Sequence, residues 1–209
     1  ERRVDFLTGY QNAAYAKQYQ AFVERVRTAE ARLGSTKLTE AVARYLFKLM
    51  AYKDEYEVAR LHSDKTFLDR IAQQFEGEYR LHYHLAPPLL AKRNERGELV
   101  KQPFGPWMLK AFGLLARLKG LRGTPFDPFG RTEERKMERA LIGRSKDTVE
   151  ELLAGLNAGN LALAGEIARL PEQIRGYGHV KERHLQTVLP RWDALMTQWR
   201  GGGAVSKAA

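Results

Sequence analysis

Leu38-Thr39-Glu40-Ala41-Val42-Ala43-Arg44-Tyr45-Leu46-Phe47-Lys48-Leu49-Met50-Ala51-Tyr52-Lys53-Asp54-Glu55-Tyr56-Glu57-Val58-Ala59-Arg60-Leu61 places Leu38, Val42, Tyr45, Leu49, Tyr52, Tyr56 and Ala59 at alternating steps of four and three residues. That spacing returns each side chain to one face of an α-helix. Upstream, Tyr15, Tyr19, Phe22, Val26, Ala29 and Leu33 repeat the pattern, and Gly34-Ser35-Thr36 separates the two runs. Gly34 suits the left-handed position that closes a helix, and Ser35 or Thr36 can accept from the free N–H groups that open the next. The spacing therefore predicts a long antiparallel helical hairpin over 2–61. A first helix from Arg2 to Leu33 would be about 48 Å long at 1.5 Å per residue, long enough to overhang a small domain or pack on something outside it.

Downstream the period changes. A helix over Thr66–Phe75, capped by Ser63 or Asp64, is followed by Tyr79, Leu81, Tyr83 and Leu85 alternating with Arg80, His82 and His84, the two-residue period of a half-buried strand. Pro87-Pro88 ends it, Asn94-Glu95-Arg96-Gly97 signals a turn, and Glu98–Lys101 pairs back, giving a small irregular β-hairpin over about 78–101. Further helices are predicted over about 107–119, 132–155, 158–170 and 179–199, the last bent at Pro190. Gly120–Gly130 is too rich in Gly and Pro for regular structure, and 201–209 reads as a flexible tail. The expectation is a mainly α, single helical domain over 1–200.

Composition narrows the chemistry. The 209 residues carry 35 Lys and Arg against 25 Asp and Glu, a formal charge of +10, and 44% hydrophobic residues, enough for a sizeable core. There is no cysteine, so this chain offers no thiolate for an iron-sulfur cluster, a zinc site or nucleophilic catalysis. Walker, dinucleotide-binding and thiamine diphosphate signatures are absent, as is a third ligand to complete a metal site with His82 and His84. No run approaches the roughly 18 apolar residues of a membrane span, and Glu1-Arg2-Arg3 has neither an initiator Met nor a signal peptide. A cytoplasmic segment of a longer protein, without a membrane partner, is expected.

Most basic residues alternate with acids at helical spacing, but Leu99–Phe126 holds Lys101, Lys110, Arg117, Lys119 and Arg122 with no acid at all. Lys110, Arg117, Lys119 and Arg122 are the candidates for docking an acidic partner or contacting phosphate. The apolar helix beginning at Trp107 is read as a core helix with two emergent charges. Tyr52, Lys53, Asp54, Glu55, Tyr56 and Arg60 form a second candidate set, for an interdomain contact; the alternative is a surface lattice in which Glu57 pairs with Lys53 and Arg60.

Five stretches, LTEAVARYLFKLMAYKDEYEVARL (Leu38–Leu61), FEGEYRLHYHLAPPLLAKR (Phe75–Arg93), FGPWMLKAFGLLARLKGLRGTPFDPFG (Phe104–Gly130), ERKMERALI (Glu134–Ile142) and LPEQIRGYGHVKE (Leu170–Glu182), run in one order through the chain. Together they resemble the C-terminal helical region of the fused bacterial indolepyruvate:ferredoxin oxidoreductases, a region without an assigned role. The resemblance implies a parent enzyme that converts an aryl 2-oxoacid to an acyl-CoA with thiamine diphosphate, Mg²⁺, [4Fe-4S] clusters and coenzyme A. It implies that this segment is non-catalytic and holds no cofactor. Its partners would be the remaining domains, a second copy of the parent in a homo-oligomer and, by the basic stretch, ferredoxin or coenzyme A. The rival is a free-standing basic helical module that binds nucleic acid.

Overall fold

The computed structural model describes residues 1–86 and 100–205. Its helices are α1 (Arg2–Tyr10), α2 (Ala13–Ala31), α3 (Lys37–Met50), α4 (Glu55–His62), α5 (Lys65–Ala72), α6 (Met108–Arg117), α7 (Glu133–Gly155), α8 (Leu161–Arg169) and α9 (Gly178–Val205). Strands β1 (Tyr83–Leu85) and β2 (Gln102–Phe104) complete a mainly α fold with a small antiparallel hairpin. The described chain groups by contacts into two compact units, Glu1–Tyr52 with Arg131 onward, and Lys53–Gly130.

In the first unit the predicted hairpin is present as α2 and α3, but both of its long arms are broken. The 2–33 arm stops at Tyr10 and restarts at Ala13, because the Asn12 side chain accepts from the Tyr15 N–H at 2.9 Å and caps a new helix. The other arm ends at Met50, and Asp54 caps α4 in the same way, accepting from the Glu57 N–H at 2.8 Å. Asn and Asp compete with backbone continuation for N–H groups, so apolar periodicity that runs across them does not guarantee one helix. The 48 Å helix therefore does not form.

Gly34 takes the left-handed turn expected of it, at φ 65°. Ser35 accepts as expected, its Oγ taking the Lys37 N–H at 3.2 Å, and a further cap comes from outside the turn. Glu30, fully buried, accepts from Leu38 N–H at 2.9 Å, Thr39 N–H at 2.7 Å and the Thr39 hydroxyl at 2.6 Å. Thr36 Oγ1 instead donates to Glu40. Burial alone would raise the Glu30 carboxyl pKa, but these donors outweigh it and hold it below its ordinary value.

Tyrosine phenols tie α1 and α2 to carbonyls of α3 and of Tyr52 just beyond it. Tyr10 donates to Tyr52 O at 2.8 Å, Tyr15 to Met50 O at 3.0 Å and Tyr19 to Ala43 O at 2.7 Å. The carbonyl of Met50 at the end of α3 and that of Tyr52 beyond it have no donor within the helix, so these two bonds satisfy groups that burial would otherwise strand. Around them, Phe22, Val26, Leu46, Leu152, Ile167 and Trp192 form the buried core. Trp192 Nε1 donates to Thr148 Oγ1 at 3.1 Å, joining α9 to α7. Lys48 donates to the Pro171 and Glu172 carbonyls at 2.8 and 3.0 Å, and Lys181 meets Glu138 at 2.5 Å.

The predicted last helix differs at its end. α9 passes through Pro190 and continues to Val205, so part of the expected 201–209 tail is helical. Residues 206–209 lie outside the described residues.

The second unit contains α4, α5, the β-hairpin, α6 and the loop to Gly130. The strand is shorter than the alternation suggested, and its partner is displaced from Glu98–Lys101 to Gln102–Phe104, with Tyr83 opposite Phe104 and Leu85 opposite Gln102. Pro103 has no N–H to donate, which a two-stranded ribbon tolerates because each strand has a free edge. The expected Pro87-Pro88 stop and Asn94–Gly97 turn fall outside the described residues. Ala59, Tyr83, Met108 and Phe112 make a small core on which the His62 ring stacks, 5.3 Å from Phe112 at 14°.

Candidate functional site

The second unit brings parts of the two candidate sets together. Arg122, from the Gly-rich loop, grips Asp54 through two parallel bonds, Nε to Oδ2 at 2.5 Å and Nη2 to Oδ1 at 2.9 Å, with both side chains 3% exposed. Asp54 Oδ1 is also the α4 cap. Adjacent on α4, the buried Glu57 receives Arg60 Nε at 2.8 Å and Nη2 at 2.7 Å.

Tyr56 links this pair to the loop. Its ring lies under the Arg122 guanidinium, 5.6 Å from centroid to Cζ, and edge-on to Phe129. Its hydroxyl donates to Asp127 Oδ1 at 3.1 Å, while the same carboxylate accepts from Phe129 N–H at 3.1 Å and Gly123 N–H at 2.8 Å. Asp127 thus ties the loop to itself as an acceptor of three donors. Burial, then the nearby Asp127 charge and its hydrogen bond, push the Tyr56 phenol far above its ordinary value, so it stays protonated and donating. Lys119 stands beside this cluster with its pKa lowered by burial and by Arg60 and Arg122.

The geometry assigns these residues a different task from the expected one. Asp54 is turned inward and cannot present its carboxylate to a separate domain. Arg122 is committed to Asp54 and does not fit a phosphate, so the predicted phosphate set loses one of its four members. The expected Glu57–Arg60 pair is present, but it runs from a buried Glu57, 2% exposed, to a partly exposed Arg60 and is not a solvated surface lattice. Tyr52 belongs to the first unit, buried edge-on to Tyr10, and Lys53 is exposed. Asp127 escaped the sequence reading; its one signal was an acid set between two prolines in Thr-Pro-Phe-Asp-Pro-Phe-Gly.

Lys110 and Arg117 are exposed on α6 and take part in no ion pair among the described residues. The same outer side carries Trp107, Leu114 and Leu118, at 60%, 63% and 43% exposure. The core-helix expectation holds for the inner side of α6, where Met108 and Phe112 are buried and Leu109, Ala111, Leu115 and Ala116 pack against them. The outward face is apolar and basic.

Among the described residues no helix is long and apolar enough to cross a membrane, and no group of three or more His, Cys, Asp or Glu side chains is arranged to hold a metal. The fold and its internal ion pairs define a helical domain, and residues 1–194 match DUF6537, a family of unknown function. The chain belongs to that family. No curated protein and no solved structure matches it.

Proposed function

We propose that the chain is a non-catalytic domain of a larger indolepyruvate:ferredoxin-type 2-oxoacid oxidoreductase, serving to pack the parent enzyme's other domains or its second protomer. The observation that carries this reading is the Asp54–Arg122 pair. It joins Leu38–Leu61 to Phe104–Gly130, two of the stretches in which the resemblance resides, and the charged residues there are spent on holding the unit's own loop. Desolvated, bidentate ion pairs of this kind fix a fold's arrangement rather than attack a substrate.

Thiamine diphosphate, Mg²⁺, the [4Fe-4S] clusters and coenzyme A would belong to the rest of such an enzyme. This chain has no cysteine for a cluster, and the buried Arg122 does not fit a phosphate contact. A second role, steering an acidic electron carrier such as ferredoxin, falls to the exposed Lys110 and Arg117.

The coding sequence upstream of Glu1 tests the proposal. A Cys-rich ferredoxin-like region and a Gly-Asp-Gly motif are expected there. An unrelated domain, or a start codon immediately before Glu1, overturns it and favours a free-standing basic module.

A further inference from the structure

The outward side of α6 has a register that points to a particular kind of partner. Trp107, Ala111, Leu114 and Leu118 step by four, three and four residues, the spacing of a d-a-d-a seam, and Lys110 and Arg117 fall at the flanking g positions. Trp107 already has helical backbone angles, and Leu118 opens the 3-10 turn that continues α6, so the seam runs the length of the helix. Trp107, Leu114 and Leu118 are exposed, while Ala111 packs partly against the unit's own small core, so the three large side chains carry the face.

We propose that this face docks an acidic amphipathic helix from a partner. Three features select that occupant. At about 100° per residue, the exposed apolar side chains Trp107, Leu114 and Leu118 span only about 40° of arc. That is a helix-helix seam; a helix lying in a bilayer surface presents an apolar face wider than about 100°. The charged row beside the seam is wholly basic, and Leu99–Phe126 contains no acid to neutralise it, so matching e or g positions on the partner would carry Glu or Asp. Trp107 and Arg117, both on this exposed face, are also of the residue types that dominate binding energy in protein interfaces.

The inference deepens the packing role proposed above, but the face can be tested apart from the parent enzyme. The full 209-residue chain is titrated with a peptide of about four heptads carrying Leu at a and d and Glu at e and g, with a twin carrying Lys at e and g, and with phosphatidylcholine vesicles with and without phosphatidylserine. The Glu peptide is expected to bind and to weaken with salt, while the Lys peptide and both vesicles do not bind. Lys110→Glu with Arg117→Glu should weaken the Glu peptide roughly tenfold and admit the Lys peptide. Leu114→Glu should abolish binding. Circular dichroism melts of these variants are expected to match the wild type, since the substituted side chains are exposed. Equal binding of both peptides, binding of neither, indifference to the substitutions, or vesicle binding that the Glu peptide does not displace would each overturn the proposal. Upstream coding sequence reads the parent enzyme and the peptides read this face, so one reading can fail without the other.

Discussion

Arg122 closes on Asp54 across 68 residues of sequence, and the Asp54 oxygen that receives its Nη2 also receives the Glu57 N–H that opens α4. One carboxylate therefore does two jobs, capping a helix and neutralising a buried guanidinium. The helix start and the Gly-rich loop depend on each other through it.

Removing that carboxylate should cost far more than a surface charge. Asp54→Ala leaves Arg122 buried without its counter-ion, and a loss of about 3–5 kcal/mol is expected. Adding Arg122→Met to Asp54→Ala removes the stranded charge and should recover part of the loss. Urea titrations of Asp54→Ala, Arg122→Met and the double variant measure this; additive losses would show that the two residues are not coupled.

Glu30 gives a pH signature. Its folded pKa lies below the ordinary value of 4.5, so its contribution is present above that value and lost as pH falls through the folded one. Glu30→Gln should lower stability by about 1–2 kcal/mol at neutral pH, through weakened capping of α3. The gap between wild type and variant should narrow as the acid limb of the stability curve is followed below pH 4.5.

His62 should respond at milder pH. Burial first, and then Lys53, hold its pKa below the ordinary 6.5, and its buried Nδ1 has no hydrogen-bond partner among the described residues while the ring stacks on Phe112. The folded state thus favours the neutral ring; that stability is complete above pH 6.5 and is lost as pH falls through the lowered value. Denaturation midpoints of the wild type between pH 8 and 5 should fall, and His62→Phe should flatten that part of the profile.

Gly130 is required by its neighbour. A Cβ there would fall on the Asp127 carboxylate, which holds Tyr56 and the Gly123 and Phe129 N–H groups. Gly130→Ala is expected to cost about 1–3 kcal/mol, seen as a lowered thermal midpoint. Gly143→Ala, where a Cβ meets nothing within 4 Å, serves as the control and should leave the midpoint unchanged or slightly raised.

By itself the sequence determined the helical class, the α2–α3 turn at Gly34 and the presence of a short β-hairpin, because periodicity and turn chemistry act over a few residues. It also contained the two Asx caps that break the long arms. Asn12 and Asp54 were outvoted there by apolar spacing that continued past them. Only the tertiary structure decided what the charged residues do. Glu30 reaches α3 across a turn, Arg122 reaches Asp54 across the second unit, and Asp127 gathers two donors from its own loop and one from α4. A charge is legible in sequence, but its partner is not, since the partner is set by which side chains are shut away from water together. The same packing left Trp107, Leu114 and Leu118 outside, where their composition alone had placed them in the core.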